Sequence, residues 1–356
     1  MLKLRRARVA SVEEAGRRLA RLTVTLEGAD ETRAAIAYPQ LTGAVEPGDD
    51  VIVNVEASDL DLGSGGFDVV HCNLTRGLAG VGADAHVMKL NYTSLQHAVQ
   101  PVEEGLEDDP KRAGLPVAVL ALHGQLPCVA FALAHLATGT RAGFVQTAGG
   151  ALPGALSDTV ADLIHRGLLA GHVTAGPAFG GAGEAITVEG ALDAGRARLD
   201  WDCAIVGPGP GILGSASALG HGGLAALANA HSALSLGSPV ALVPRLSSGD
   251  PRERHRGLSH HTKTVLSMLL GPVRVAVPAG VSLPSGAGLE LAIAHGAGHE
   301  GVRLDVASLV DPYLSSGLPA STMGRAFDED RDFFLAGLAG GALLAEMTPR
   351  KEPGPT

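Results

Sequence analysis

The sequence predicts an α/β protein: a small N-terminal β-barrel-like domain followed by a mainly parallel, doubly wound, Rossmann-like α/β domain. Short β-branched segments separated by Gly and Pro fill the first 72 residues. Apolar runs then alternate with helical patterns. The chain also holds 49 glycines, which suits tight turns between closely packed elements. We expect a β domain at 1–72, a connector at 73–114, an α/β ligand-binding domain at 115–347 and a disordered tail at 348–356.

Five segments in the first domain predict a barrel of the SH3-like or OB-like kind. They are Arg6–Ser11, Arg21–Glu27, Thr32–Ala37, Asp50–Val55 and Phe67–Cys72. Residues 1–22 carry seven Lys or Arg and two Glu. This basic stretch is typical of a solvated edge strand, and the alternative is a patch for nucleic acid or an acidic partner.

Six apolar runs predict the strands of the second domain, and helical patterns separate several of them. Continuous apolar strands indicate a parallel sheet covered on both faces, with right-handed crossovers. The predicted strands are Pro116–Leu122, Arg141–Gln146, Ala170–Ala175, Asp202–Val206, Pro239–Pro244 and Val273–Pro278. The predicted helices are Gln125–Thr138, Gly154–Leu168, His221–Leu236, His261–Leu270 and Asp328–Met347.

Composition excludes several classes of function. The net charge of −10 and the aromatic content of 3% make nucleic-acid binding an unlikely role. The three cysteines are far apart in sequence, so neither a disulfide framework nor a paired-cysteine zinc site is expected. Met1–Leu22 lacks an apolar core typical of a secretory signal, and no apolar run is long enough to span a membrane. We therefore expect a cytoplasmic protein.

The densest charge lies in Gly249–Thr262, where eight of fourteen residues are Asp, Glu, Arg or His. An apolar run precedes this segment and a helical pattern follows it, so it is predicted to lie where a strand leads into a helix. Arg252, Arg254 and Arg256 would clamp a phosphate or carboxylate, and Ser259 would cap the helix.

Two other interpretations of this segment stay open. His255, His260 and His261 with Asp250 would form a metal site, but adjacent histidines diverge by about 100° on a helix. The arginines would otherwise pair with acidic groups across a subunit interface. We favour the anion clamp and assign no metal, and the sequence identifies no cofactor.

Glycine-rich turns follow several predicted strands, and in a parallel sheet these turns share the carboxyl edge, where ligands bind. Gly149, Gly150, Gly207, Gly209 and Gly211 are therefore candidates to line a ligand. The same glycines would alternatively only close tight loops. The spacing of Gly209, Gly211 and Gly214 matches a dinucleotide fingerprint, but two prolines crowd that turn and argue against it.

Three further residues are candidate ligand contacts. His123 ends the first strand of the second domain, and His221 begins the predicted helix His221–Leu236. Lys89 would add a positive charge if the connector folded over the sheet edge.

The leading hypothesis is an enzyme, either a hydrolase or a transferase, that acts on a small phosphorylated or nucleotide-like molecule. His260 or His261 would exchange protons, and Asp250 would orient its neighbours. The alternatives are a non-catalytic ligand-binding or regulatory protein and a structural homo-oligomer with the charged loop at its interface. A homo-oligomer is expected in all three cases.

Several motifs also resemble a bacterial family, domain of unknown function 3866, over nearly the whole chain. The resemblance implies a bacterial cytosolic protein and supplies no activity or catalytic residue. The motifs are Ala37–Gly43, His86–Thr93, Thr147–Pro153, Gly176–Gly181, Gly207–Gly209 and, most specifically, Asp250–His261.

Overall fold

The computed structural model describes most of the chain, which divides into two compact units, Met1–Gln100 and Pro101–Thr356. The described residues are 1–62, 65–79, 85–107, 109, 114–215, 217–281 and 297–349. Most of the predicted tail lies outside them. The sequence-based domain boundaries stay a prediction, although the region expected to be a connector contains two short strands.

The first unit is a closed five-stranded barrel, which confirms the predicted β domain. Its strands close in the order β1-β2-β3-β5-β4, and only β3 and β5 pair in parallel. Alternate residues, including Val9, Val24, Val51 and Val53, point inward and form an aliphatic core. The strands are β1 (Leu4–Ala15), β2 (Ala20–Leu26), β3 (Thr32–Ala37), β4 (Asp50–Asn54) and β5 (Asp68–Asn73).

Short elements complete this unit. Two one-turn helices, α1 (Pro39–Thr42) and α2 (Glu56–Asp59), connect strands of the barrel. A hairpin of β6 (Val87–Lys89) and β7 (His97–Val99) follows it. Lys89 is buried in that hairpin, and the ligand contact expected of it stays a prediction.

The second unit contains an eight-stranded sheet in which every neighbouring pair is parallel, so the doubly wound prediction is confirmed. The strand order is β11-β10-β9-β12-β8-β13-β16-β17. Strands of this unit are β8 (Val117–Leu120), β9 (Ala142–Thr147), β10 (Gly171–Ala175), β11 (Gly183–Ala185), β12 (Cys203–Pro208), β13 (Val240–Val243), β14 (Leu246–Ser247), β15 (Gly257–Leu258), β16 (Arg274–Pro278), β17 (Glu300–Leu304), β18 (Ser321–Thr322) and β19 (Arg325–Ala326).

Helices cover both faces of the sheet. One face packs against α3, α4, α8 and α9, and the other against α5, α6 and α7. The helices are α3 (Leu126–Leu136), α4 (Asp158–His165), α5 (Val188–Ala197), α6 (Ala225–Ser235), α7 (His260–Met268), α8 (Ala307–Ser315) and α9 (Arg331–Met347). Within the described residues, no helix combines the length and the apolar character needed to cross a membrane.

The sequence did not predict β11, β17, α5 or α8. The two strands lie at the edges of the sheet, and neither is a continuous apolar run. Helix α8 contains Pro312, which breaks the usual helical pattern.

The direction of chain winding changes in the centre of the sheet. The helix that follows β8 packs on one face, whereas the helix that follows its neighbour β13 packs on the other. Adjacent strands whose helices diverge leave a crevice at their carboxyl ends, which is where open α/β sheets bind ligands. The charged segment follows β13 and therefore begins beside this crevice.

The glycine-rich turns at this edge pack backbone against backbone. A Cβ atom at Gly150 would overlap the carbonyl oxygen of Gly209, and one at Gly222 would overlap that of Gly149. The amide of Leu213 donates to the same Gly149 carbonyl at 3.2 Å. The close packing of these turns explains why glycine is needed at these positions even without a ligand. The role of the glycines in lining a ligand stays a prediction.

We predict that Gly222→Ala destabilises the protein by about 1–3 kcal/mol, because the added methyl group forces two loops apart. Gly214→Ala is the matched control, since its Cβ would make only an ordinary contact with His221. Urea denaturation measures both free energies of unfolding. Equal stability of the two variants would contradict the close loop packing.

Candidate functional site

A buried ion pair anchors the charged segment. Arg245 follows β13 after Pro244, and its side chain is only 2% exposed, while that of Asp250 is fully buried. The Nη2 atom of Arg245 donates to Oδ2 of Asp250 at 3.2 Å. The amide of Arg245 donates to the hydroxyl of Thr262 on α7, which ties the strand end to the helix. A buried guanidinium group needs such a counter-charge to remain in the fold.

Asp250 also binds a second arginine with both of its oxygens. Arg252 donates from Nε to Oδ1 at 2.9 Å and from Nη2 to Oδ2 at 2.8 Å. The Nη2 atom of Arg325, from β19, lies 3.7 Å from the same carboxylate. Burial opposes ionisation of Asp250, but the hydrogen bonds and positive charges of Arg252 and Arg245 outweigh it and lower its pKa. Asp250 is thus an ionised group that orients arginines.

A second carboxylate, Asp330, holds the beginning of the loop. It accepts hydrogen bonds from the Ser247 hydroxyl at 2.7 Å and the Ser248 amide at 2.9 Å. It also accepts from Nε of Arg325 at 2.9 Å. Because Asp330 immediately precedes α9, this contact joins the charged loop to the C-terminal helix.

Four histidines form a compact group beside Arg245, which we call the histidine cluster: His221, His255, His260 and His261. His221 and His261 stack with ring centroids 3.6 Å apart and an angle of 9° between their planes. The rings of His260 and His261 lie 4.4 Å apart, and that of His255 lies 4.9 Å from His260. The expected divergence of the adjacent histidines was therefore wrong: at the first turn of α7 their rings converge.

Hydrogen bonds fix the proton positions of two rings. Arg245 donates to Nδ1 of His261 at 3.2 Å, so neutral His261 carries its proton on Nε2. Arg254 donates to Nε2 of His255, which leaves its Nδ1–H to donate to the Ser259 hydroxyl at 2.7 Å. The Ser259 oxygen also accepts from the amide of His261 and caps α7, as predicted.

All four histidines have lowered pKa values. Burial is the largest cause in each case, and the positive charge of Arg245 adds to it. The pKa of His255 falls to about 3. The cluster is therefore neutral at pH 7 and lies in a positive electrostatic field that opposes the uptake of a proton.

The geometry does not favour a metal ion. His221, His260 and His261 have ligand atoms within 4.8 Å of one another. However, the lone pairs of an imidazole lie in its ring plane, and one ion cannot lie in both planes of a parallel stack. Arg245 also donates to Nδ1 of His261 and repels cations. The absence of a metal stays a prediction.

The remaining predicted residues are distributed along the edge. Arg254 and Arg256 are exposed on the charged segment. His123 lies at the end of β8, where it contacts Ser157 at 2.7 Å and the Pro208 carbonyl at 3.1 Å. Burial lowers the pKa of His123 to about 4. The hydrogen-bond partners of His123, Ser157 and Pro208, do not belong to the histidine cluster.

Two of the predicted glycines differ from those in the packed turns. A Cβ at Gly207 would press against Leu120 in the neighbouring strand. Gly211 has a φ of +69° and open space beside it. Gly211 is thus the one of this pair whose surroundings leave room for a ligand.

Sequence inspection missed three residues of the site: Arg245, Arg325 and Asp330. Arg245 carried a signal, because an arginine that ends a buried apolar strand at the carboxyl edge requires a partner. Arg325 and Asp330 carried no such signal, since they lie more than 60 residues beyond the end of the charged segment.

Two cavities lie away from these residues. One, of about 350 Å³, is lined by Leu136–Thr140 and Asp202 among others, and the other, of about 490 Å³, lies on the barrel beside Arg6 and Arg8. Neither is lined by a histidine among the described residues. The chemistry of the side chains, rather than cavity depth, identifies the candidate site.

A comparison with protein families gives a match over residues 34–341, to the family described as "Protein of unknown function (DUF3866)". The chain belongs to this family. No curated protein and no solved structure that was compared matches it. The DUF3866 match confirms the resemblance seen in the sequence, and it leaves the function of this DUF3866 member to be argued from the site.

We predict that Asp250→Asn destabilises the DUF3866 chain by about 3–5 kcal/mol, because it leaves Arg245 buried without a counter-charge. Asp200→Asn is the control, since Asp200 is 77% exposed and pairs with Arg141 at the surface. Chemical denaturation measures the two losses. A loss for Asp250→Asn no larger than that of the control would contradict the anchoring role.

Stability should also fall on mild acidification. The unfolded chain takes up protons below about pH 6.5, whereas folded His255 stays neutral down to about pH 3. The free energy of unfolding therefore decreases as the pH drops from about 6.5, by up to about 1.4 kcal/mol per pH unit for each such histidine.

Urea denaturation at several values between about pH 7.5 and 5.5 measures this slope. His255→Gln should reduce it, and His165→Gln, at an exposed position, should not. An unchanged slope in His255→Gln would show that His255 titrates normally in the folded state.

Proposed function

We propose that this chain binds a small phosphate-bearing molecule at the histidine cluster and acts on it as a hydrolase or a transferase. The observation that carries this proposal is buried Arg245, which donates both to Asp250 and to His261. It places a fixed positive charge beside four neutral imidazoles at the carboxyl edge of the sheet.

The balance of charge supports an anion as the ligand. Three guanidinium groups, from Arg245, Arg252 and Arg325, surround two buried carboxylates, Asp250 and Asp330. The field that lowers the histidine pKa values repels protons and, for the same reason, attracts an anion. Phosphate is favoured because arginine, imidazole N–H and a helix start are common partners of its oxygens.

His260 is the best placed residue for proton transfer. It is half-buried, and within the described chain its ring nitrogens make no hydrogen bond, so they remain available to a ligand. Its pKa is lowered by burial and by His221 and Arg254, which keeps the ring neutral at pH 7. As a general base it would take a proton from the attacking water or hydroxyl group while the phosphoryl bond to the leaving group breaks.

His261 and Asp250 are held by arginine side chains and would position the reacting groups. The Nδ1 atom of His261 is bound by Arg245, and both oxygens of Asp250 are bound by Arg252. These contacts suit residues that position the site. The proton-transfer role therefore falls to His260, and Asp250 keeps the orienting role.

Calorimetric titration with inorganic phosphate, pyrophosphate and a nucleoside monophosphate tests binding. Arg252→Gln should weaken it at least about tenfold, the value of one charge-assisted hydrogen bond. Arg141→Gln is the matched control, because both side chains are 47% exposed and Arg141 lies at the opposite edge of the sheet. Release of phosphate from pyrophosphate and from the nucleoside monophosphate measures turnover, which His260→Gln should abolish while binding persists.

Three results would count against the proposal. Equal affinity of the Arg252→Gln and Arg141→Gln variants would contradict the assignment of the anion site to the charged segment. Binding without turnover in the wild-type protein would favour the non-catalytic, ligand-binding alternative. A stoichiometric transition metal held by the histidines in the purified protein would contradict the interpretation of the cluster.

A further inference from the structure

His221 is the one buried member of the histidine cluster for which both ring nitrogens lack a hydrogen-bond partner among the described residues. Its side chain is buried, with 7% of the residue exposed, and neither ring nitrogen has a hydrogen-bond partner at normal distance. The backbone of Ala218 attracts the ring and raises its pKa, but burial has the larger effect and lowers it. A buried imidazole without partners is costly, so this position calls for a ligand.

The groups around His221 are neutral or positive. His261 stacks on it, and the ring centroid of His260 lies 5.3 Å from that of His221, with an angle of 78° between the ring planes. Arg245, at the end of β13, lowers its pKa further. Asp250 is already bound by two arginines, and Glu253, in the turn before His255, is exposed.

His261 cannot easily take up a proton itself. Its accepting atom, Nδ1, is bound by Arg245, and protonation there would break that hydrogen bond. His221 has no such obstacle, because its accepting nitrogen is unpaired. Protonation of His221 would also produce an imidazolium that stacks on the neutral ring of His261. The positive charge would then face a polarisable ring, which attracts it.

We propose that His221 takes up one proton when a dianionic phosphate group enters the site, and then binds that group as an imidazolium. This inference rests on the proposed function and names its substrate class: compounds with a terminal phosphate that carries two negative charges. The proton comes from the solvent, and no bond of the ligand breaks in this step. The two charges of the ligand offset the field of Arg245 that keeps His221 neutral beforehand.

Sulfate is the decisive probe, because it stays a dianion across the neutral range and exchanges no proton of its own. Titration calorimetry in two buffers with different ionisation enthalpies counts the protons taken up on binding. We expect uptake close to one proton per sulfate near pH 6.5, and an affinity that falls about tenfold for each unit of rising pH. His221→Asn should bind sulfate with no proton uptake and with a flat pH dependence.

A control variant assigns the effect. His165→Gln changes an exposed histidine at the end of α4. It should keep the proton uptake of the wild-type protein. If His221→Asn does not fold, the wild-type titration still measures uptake, and the histidine ring resonances in an NMR titration with sulfate show which ring is protonated.

The outcomes separate the two proposals. If neither sulfate nor phosphate binds at any pH, the proposed function fails, and this inference fails with it. If sulfate binds without proton uptake, or if uptake persists in folded His221→Asn, the inference is overturned and the anion site stands.

Discussion

The contact between the Asp250 carboxylate and the guanidinium groups of Arg245 and Arg252 is the interaction on which the rest of the site depends. Arg245 ends a buried strand and has no access to water, so it stays in the fold only because Asp250 neutralises it. That requirement turns the charged segment back over the sheet edge. It also leaves one Nη atom of Arg245 free to donate to His261.

The parallel sheet supplies the position of this interaction. Successive helices pack on opposite faces around β8 and β13, which opens the edge where the strands end. The glycine-rich turns close that edge by packing on each other, with Gly149 and Gly222 in direct backbone contact. This packing holds the loops in place before a ligand binds. Binding is favoured because the loops then lose less conformational entropy.

The charges of the site support the proposal that it binds an anion. Burial and nearby arginines hold the four histidines neutral, and the same arrangement disfavours a metal cation. The negative charge of an entering phosphate group would instead favour protonation of a histidine. Neutral imidazoles beside a fixed guanidinium group are suited to bind an anion and to accept a proton, and for this reason we propose phosphoryl chemistry as the function.

Apolar runs and turn residues report burial and chain reversal locally, so the residue pattern alone predicted the barrel and the parallel sheet, but not the edge strands β11 and β17. It also placed Asp250–His261 after a strand of the parallel sheet, since its charge density stands out in an aliphatic chain. Which charged groups meet depends instead on the packing of elements that are distant in sequence. Arg325 and Asp330 reach the segment from a distant hairpin and helix start, and His221 stacks on His261 across two loops. Such contacts depend on how elements pack, which no local pattern of residues records.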